Sequence, residues 1–288
     1  MGEGSELARI EMRVWGIIGA AFAGLFAVWL LFFPDLVKDF AWVVEPRLAQ
    51  VFIGAGYVFR TAFFLNVAIW PSWERFRWIF WGNLAFTGTL LLATFWHADK
   101  IRWGTVIGHA WLILYVTEPA VMIYFAIGRR LRSAPSPNAV PMRLGFVRYL
   151  ILEAAVLATF GALLVINPEF AGRRWPWELN PLDARIIAAW FWGWAVWTGT
   201  MAFARDWMEI RAAAALNILN GVALLAASLA SFPLFQSPRT GGYLVTLAAM
   251  TGLMALFSWR QEQTRAALVA VGPAPETSLD PSLDPGPG

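Results

Sequence analysis

The chain consists of apolar runs of about 20 residues, separated by short breaks rich in Pro, Trp and charged residues. The first run, VWGIIGAAFAGLFAVWLLFF, has no charged residue between Val14 and Phe33. A helix needs about 20 mostly apolar residues to cross the hydrocarbon core of a bilayer. Because lipid chains offer no hydrogen bonds, such a segment crosses as an α-helix, which pairs its own backbone groups. The sequence therefore predicts an all-α transmembrane protein.

Eight apolar runs are long enough to be counted as membrane spans. The predicted spans are Val14–Phe33, Leu48–Trp70, Phe76–Trp96, Gly104–Ile127, Phe146–Ile166, Ala184–Ala204, Ala212–Ser231 and Gly242–Trp259. Short breaks, HADKIRW and RDWMEIR, follow the third and sixth spans. Helices joined by such short connections are typically antiparallel neighbours.

Composition excludes several classes of protein. Only 14% of the residues are charged, against about a quarter in a soluble domain. The absence of Cys excludes disulfides, thiolate metal sites and Cys nucleophiles. The basic residues lie at span ends and form no continuous basic face, so we expect no nucleic-acid partner. The expected partner is the lipid bilayer, and the 18 Trp residues favour its interface.

Lys and Arg in the loops predict the orientation, because cytoplasmic loops carry an excess of both. With eight spans, both termini and the central connection, GRRLRSAPSPNAVPMRLGFVR, share the more basic side. We therefore expect a multi-pass protein of the cell membrane, namely the bacterial inner membrane, with both termini cytoplasmic. The predicted divisions are an N-terminal cytoplasmic segment (1–13), a first four-helix membrane unit (14–131), a basic cytoplasmic linker (132–145), a second four-helix membrane unit (146–261) and a disordered tail (262–288).

The two halves of the chain match at an offset of 134 or 135 residues. The matched residues are Pro34 and Pro168, Pro46 and Pro181, Ala49 and Ala184, Trp73 and Trp207, and Asn83 and Asn217. This pattern predicts eight helices arranged as two tandem four-helix repeats. Since four spans return the chain to its starting side, both repeats are expected to have the same orientation, related by an axis along the membrane normal.

Short motifs in both halves carry a family resemblance. The second half contains WPWELNPLDARIIAAWFWGW followed by RDW, and the first contains TFWHADKI and WLILYVTEP. In these motifs of Pro, Trp and Asp-Trp, the chain resembles a family of uncharacterised bacterial integral-membrane proteins. The resemblance implies a membrane protein and implies no activity, so no functional residue follows from it.

Arg60 interrupts the apolar run of the second predicted span. An Arg at the centre of a membrane helix costs about 2.5–3.5 kcal/mol on insertion scales, so a partner is expected. Glu118, within the fourth predicted span, is the predicted partner. The corresponding residues of the second half, Ala195 and Ala248, are both uncharged, as a mutually dependent pair requires. Two interpretations stay open: a proton, ion or anionic-substrate site, or a buried ion pair that fixes helix packing.

Two matched polar stripes occupy one face of the third and of the seventh predicted span. They comprise Asn83, Thr87 and Thr94 in the first half, and Asn217, Gly221 and Ser228 in the second, with Asn220 beside that face. Stripes that face a common axis would line a water-accessible path. Small and polar residues also let membrane helices pack closely and exchange hydrogen bonds, and that alternative stays open.

Aromatic residues and histidines give two further candidate sites. Trp190, Trp194 and Trp197 recur at helical spacing and suggest an aromatic wall that contacts a pigment, a quinone or a lipid, or that packs against other helices. Weak candidates for a metal or haem site are His97, Asp99 and His109, with interfacial hydrogen bonding as the alternative. The sequence predicts no cofactor, and it does not exclude haem, a metal or a pigment.

These features favour a polytopic membrane protein that transports a small solute or an ion, with its site between the two repeats. The alternative is a non-catalytic accessory or scaffold subunit of a membrane complex that binds lipid or an apolar cofactor. Other membrane proteins and a second copy of the chain are possible partners. An enzyme is disfavoured, because no catalytic triad and no paired catalytic carboxylates are visible, so no catalytic residue is predicted.

Overall fold

The computed structural model describes residues 3–128 and 139–271, and these residues form an all-helical structure with short 3₁₀ turns. The α-helices are α1 (Glu3–Phe32), α2 (Arg47–Ile69), α3 (Trp73–Trp96), α4 (Val106–Gly128), α5 (Leu144–Ile166), α6 (Pro168–Gly172), α7 (Pro181–Met201), α8 (Trp207–Ala230) and α9 (Thr240–Val271). The prediction of an all-α chain with long apolar helices is confirmed.

Seven of the described helices are long and apolar enough to cross a membrane, as expected for a multi-pass membrane protein. They are α1, α2, α3, α4, α5, α8 and α9. Large apolar side chains on these helices are exposed, among them Leu92 on α3 and Val245 on α9. Exposed apolar surface of this extent suits contact with lipid chains and does not suit contact with water.

Helix α7 corresponds to the predicted sixth span, Ala184–Ala204, yet it is not one of the seven apolar helices. Its first turn carries Asp183, and several Trp residues lower its hydropathy. Most of its side chains are buried against other helices, chiefly α3 and α5. Because protein and not lipid surrounds it, α7 does not need a uniformly apolar surface. Its 21 residues rise about 31 Å, which is the thickness of a hydrocarbon core.

Helix packing is densest around α7 and within each half of the chain. Helix α1 packs along α2, α4 packs on α3, and α9 packs on α8. Helices α3 and α7 cross closely at Gly82 and Gly193, because a Cβ atom on Gly82 would lie 2.6 Å from the Gly193 carbonyl oxygen. Small residues at such crossings let membrane helices approach each other closely.

Side-chain hydrogen bonds fix the beginnings of α7 and α8. Asn180 caps α7 by accepting a bond from the Asp183 amide. The Asp183 carboxylate in turn accepts a bond of 2.8 Å from the Trp42 indole, which holds the connection between α1 and α2 against α7. Asp206 caps α8 and also accepts a bond from the Val140 amide. Asp183 and Asp206 therefore each join a helix start to a distant part of the chain.

Several predicted boundaries differ from the structure. Helix α9 continues to Val271, so residues 262–271 are helical, although they were predicted as the start of a disordered tail. Apolar residues of this segment, AALVAV, continue the helix beyond the predicted span end at Trp259. Helix α1 begins at Glu3, within the predicted N-terminal segment 1–13. Residues 132–138 of the predicted linker and residues 272–288 of the predicted tail lie outside the described residues.

We predict that Gly82→Ala destabilises the protein and that Gly88→Ala does not. The new methyl group at Gly82 would meet Trp197 Cβ at 2.4 Å, whereas a Cβ at Gly88, on the same helix, has no atom within 4 Å. Overpacking of this kind costs about 1–3 kcal/mol. Melting temperatures of the two purified variants in detergent measure the difference. Equal melting temperatures would contradict the close crossing of α3 and α7.

Candidate functional site

Arg60, Asn83 and Glu118 form a hydrogen-bonded cluster that joins α2, α3 and α4. Arg60 Nη2 donates to Glu118 Oε1 at 2.6 Å, and Nη1 donates to Asn83 Oδ1 at 2.6 Å. The Asn83 amide then donates to the same Glu118 oxygen at 2.7 Å. The two charged residues predicted as partners are therefore in direct contact, and Asn83 bridges them as a third member.

The cluster lies deep within the helices. Arg60 is roughly 20 Å from the start of α2 and roughly 14 Å from its end. Arg60 and Glu118 are each only 3% exposed. The rings of Phe64 and Phe86 lie 5.1 Å and 4.5 Å from the guanidinium carbon, so aromatic faces cover the cation. Burial at this depth makes the ion pair obligatory, since an unpaired charge there would be costly.

Tyr57 and Tyr115 extend the cluster by one helical turn. Their hydroxyl groups lie 2.5 Å apart, and both residues are buried. Sequence reasoning missed this contact, although a signal was present: each tyrosine precedes a charged member of the cluster by three residues. Residues at i and i+3 lie on the same face of a helix, so a pair at 60 and 118 predicts a second pair at 57 and 115.

The second half has an uncharged contact at the corresponding place. Asn217, which follows Asn83 by 134 residues in the sequence, donates to the Thr198 hydroxyl of α7 at 3.3 Å. Asn83 makes its bonds to α2 and α4, where the partners are charged. Asn83 therefore joins three helices through charged partners, whereas Asn217 joins two helices through a neutral bond.

The remaining stripe residues bond within their own halves. Thr94 accepts a hydrogen bond from the Trp111 indole of α4 at 3.0 Å, and Ser228 bonds to the Tyr243 hydroxyl of α9 at 3.1 Å. Thr87 donates to a backbone carbonyl of its own helix, that of Asn83. Thr94 thus bonds to α4, Ser228 bonds to α9, and Thr87 bonds within its own helix.

Gly221 has a purely steric contact. A Cβ atom there would lie 2.0 Å from the Thr251 hydroxyl oxygen of α9, so only glycine permits the observed approach. The corresponding stripe position of α3 is Thr87, which is fully buried. Gly221 therefore acts in helix packing, as small residues commonly do in membrane proteins.

A cavity of about 30 Å³ lies beside the charge cluster, between the two halves. Residues of the first half that line it include Arg60 and Asn83, and residues of the second half include Asn220 and the predicted aromatic wall, Trp190, Trp194 and Trp197. A space of this volume holds about one or two water molecules. A second, smaller space of about 10 Å³ shares Trp190, Trp194 and Asn220 with it.

The aromatic wall faces the first half of the chain. Trp190 packs edge-on against Tyr57 with ring centroids 5.4 Å apart, and Trp197 stacks on Phe59 at 5.0 Å. Each indole N–H of the wall lacks a hydrogen-bond partner within the described residues. Buried Trp N–H groups are usually paired. The three residues of the wall therefore each bring an unpaired donor to the lining of one cavity.

The predicted histidine site divides into two separate contacts. The His97 ring nitrogen Nε2 accepts a hydrogen bond of 2.6 Å from Arg185 Nη1, and His109 Nδ1 bonds to the Thr105 carbonyl. Asp99 pairs instead with Lys100 at 3.3 Å. In the part of the chain that the structure describes, no three His, Cys, Asp or Glu side chains form a group that could hold a metal.

We predict a strong energetic coupling between Arg60 and Glu118. Arg60→Met and Glu118→Leu each leave a buried charge unpaired, which costs about 3–5 kcal/mol. The double variant removes both charges, so it should lose much less than the sum of the single losses. Melting temperatures of the four proteins in detergent give the cycle, and additive losses would contradict direct pairing.

A control cycle pairs Arg60→Met with Tyr149→Phe. Tyr149 on α5 donates to the Met250 carbonyl and has no contact with the charge cluster. Its substitution costs about 1 kcal/mol through the lost hydrogen bond. The two losses should add.

We predict that protonation of His97 lowers the stability of the protein as pH falls. Burial, together with the neighbouring Arg185 guanidinium, lowers the pKa of His97 below its usual 6.5. The unfolded chain therefore binds this proton first, so stability is complete above about pH 6.5 and declines as pH falls further. The melting temperature between pH 7.5 and 5 should drop more in the wild type than in His97→Gln. An equal drop in both would contradict the pairing with Arg185.

Comparisons with known proteins do not place the chain in a family. No model of a known protein family matches it, and neither a curated protein nor a solved structure does. The resemblance to a family of bacterial membrane proteins thus rests on the sequence motifs alone. What the chain is can be stated at the level of its helices: it is an all-helical protein with the spans of a multi-pass membrane protein.

Proposed function

We propose that this protein transports a small polar solute, which binds in the cavity between the two halves beside Arg60. One observation carries this proposal. Five buried polar atoms without a hydrogen-bond partner in the described residues belong to residues that line this one cavity: Arg60 Nε, Asn220 Oδ1 and the indole nitrogens of Trp190, Trp194 and Trp197. Unpaired polar groups are costly inside a membrane, so a polar ligand or water in this space would lower the free energy.

The chemistry of these atoms favours a solute rich in hydrogen-bond acceptors. Four of the five are N–H donors, and Asn220 Oδ1 is the one acceptor among them. Glu118 balances the charge of Arg60, so the cluster as a whole carries no net charge. A small anion, or a neutral solute with carbonyl or hydroxyl oxygens, would satisfy these donors.

The proposed architecture consists of two tandem four-helix units, α1–α4 and α5 with α7–α9, in the same orientation. The packing supports it, because contacts recur when the units are exchanged. The contact of α1 with α2 corresponds to that of α5 with α7, and the contact of α3 with α4 corresponds to that of α8 with α9. The contact of α3 with α7 corresponds to that of α8 with α2. The last pair forms the interface between the units, where the cavity lies.

Counting α7 as a span gives eight crossings, and we propose both termini on the cytoplasmic side of the bacterial inner membrane. The distribution of Lys and Arg supports this orientation. Transport would then use rocking of one unit against the other around the fixed site, so that the cavity opens alternately to each side. The α3–α7 and α2–α8 contacts would act as the moving interface.

A scaffold function is the second candidate. It is favoured by the polar stripes, which bond to α4 and α9 within their own halves. Side chains paired in this way stabilise helix contacts and leave few free groups for a solute path. In this case a larger membrane complex or a second copy of the chain would be the partner, and the cavity would hold only water.

Cysteine labelling tests the transport proposal, because the chain contains no Cys. Asn220→Cys introduces a thiol that lines the cavity. Asn220 is buried, and the cavity of about 30 Å³ is too small for a maleimide reagent, so reaction requires a conformation in which the cavity opens. We expect a water-soluble maleimide to label this variant in intact cells or in inverted vesicles.

Two control variants test whether the labelling depends on opening of the cavity. Thr87→Cys lies fully buried away from the cavity, and Leu92→Cys lies on the exposed apolar surface of α3. Neither should react, because one is enclosed by helices and the other contacts lipid. If Asn220→Cys also fails to react from either side, the cavity does not open, and the transport proposal is wrong.

A further inference from the structure

A much larger cavity, of about 420 Å³, lies between α5, α7 and α9 and is separate from the charge cluster. Apolar and aromatic side chains form its walls, among them Phe160, Phe191 and Leu247. The carbonyl of Met250, a lining residue, accepts a hydrogen bond of 2.7 Å from the Tyr149 hydroxyl, which joins α5 to α9. Beyond that contact the two helices leave a space that is far larger than a packing defect.

Two arginines line this cavity at its outer end. Arg174 lies over the Phe170 ring at 3.7 Å, and Arg239 donates to the Arg173 carbonyl at 3.3 Å. Both side chains are exposed, and neither belongs to an ion pair in the part of the chain that the structure describes. Their guanidinium groups therefore retain donors for an anion.

A polar cavity of about 970 Å³ adjoins the apolar one, and Trp175, Pro176 and Arg239 line both. Arg47 and Arg173 also line the polar cavity, together with two glutamates. The combined space thus changes from apolar to polar across Trp175. An interfacial Trp at such a boundary matches the position of a lipid headgroup region.

From this arrangement we propose that the protein binds an amphiphilic anion of the bilayer, with its apolar chain in the 420 Å³ cavity and its phosphate or carboxylate head at Arg174 and Arg239. The chain alone gives little selectivity, because lipid chains are as apolar as the cavity walls. The charged head supplies the selectivity through the two guanidinium groups. This site does not depend on solute transport through the smaller cavity.

The shape of the site favours a lipid over a free anion. A free phosphate would contact the arginines and leave the apolar cavity without an occupant. A chain that enters from the bilayer fills this space, which would otherwise lose dispersion contacts along its walls. One molecule that satisfies both parts is therefore the expected ligand.

Gly242 allows the cavity to be filled without disturbing the fold. This residue lines the cavity, and a Cβ atom there has no atom within 4 Å. The preceding residue, Gly241, has equally open surroundings and does not line the cavity. Gly242→Trp is thus a blocking variant, and Gly241→Trp is its matched control.

Native mass spectrometry of the full chain in detergent tests the proposal, with dioleoyl phosphatidylglycerol and dioleoyl phosphatidylcholine as probes. We expect the wild type to retain one phosphatidylglycerol with at least about tenfold preference over phosphatidylcholine. Gly242→Trp should lose this retention, and Gly241→Trp should keep it. Equal retention of both lipids by the wild type, or no difference between the two Trp variants, would overturn the proposal.

Arginine variants test the contact with the head. Arg174→Gln combined with Arg239→Gln should abolish the preference for phosphatidylglycerol. Arg205→Gln combined with Arg260→Gln removes two exposed charges outside the cavity and should keep it. Glycerol 1-phosphate, which lacks the chain, should not displace the bound lipid. A preference that survives in the first variant, or displacement by glycerol 1-phosphate, would contradict the two-part site.

Discussion

A hydrocarbon environment leaves a charged side chain only one source of partners, namely the protein itself, and this constraint organises the first half of the molecule. Arg60 reaches from α2 to Asn83 on α3 and Glu118 on α4. Three helices must therefore keep a fixed register, or a charge remains unpaired at a cost of several kcal/mol. Two phenylalanine rings cover the remaining face of the cation. The pair thus acts on helix packing whether or not it also contacts a solute.

The Trp-rich helix α7 has the corresponding role at the centre of the whole structure. It packs against α3 in one half and α5 in the other, and Gly82 provides the space for its approach. Its rigid indole rings are large, and spaces remain where they meet other helices. Trp194 lines the cavity of about 30 Å³ next to Arg60 and also the apolar cavity of about 420 Å³ next to α5 and α9. One helix therefore lines two cavities with different walls.

The two halves of the chain differ in their buried polar contacts. In the first half, Asn83 contacts the buried ion pair of Arg60 and Glu118. The second half has a neutral amide at the matching position, Asn217, and it contributes most of the apolar cavity.

The sequence by itself determined that lipid surrounds the protein, where the long helices lie, and that Glu118 is the partner of Arg60. Apolar run length follows from bilayer thickness, and Glu118 is the one acidic residue well inside another predicted span, since Glu153 lies nearer to the end of its own. Tertiary structure alone decided which way the polar stripes face, that Asn83 bridges the charges, and that cavities lie on both sides of Trp194. The structure also shows that α9 continues to Val271, beyond its predicted end at Trp259. Helical periodicity places residues on a common face, whereas the neighbour of that face depends on how all the helices pack together.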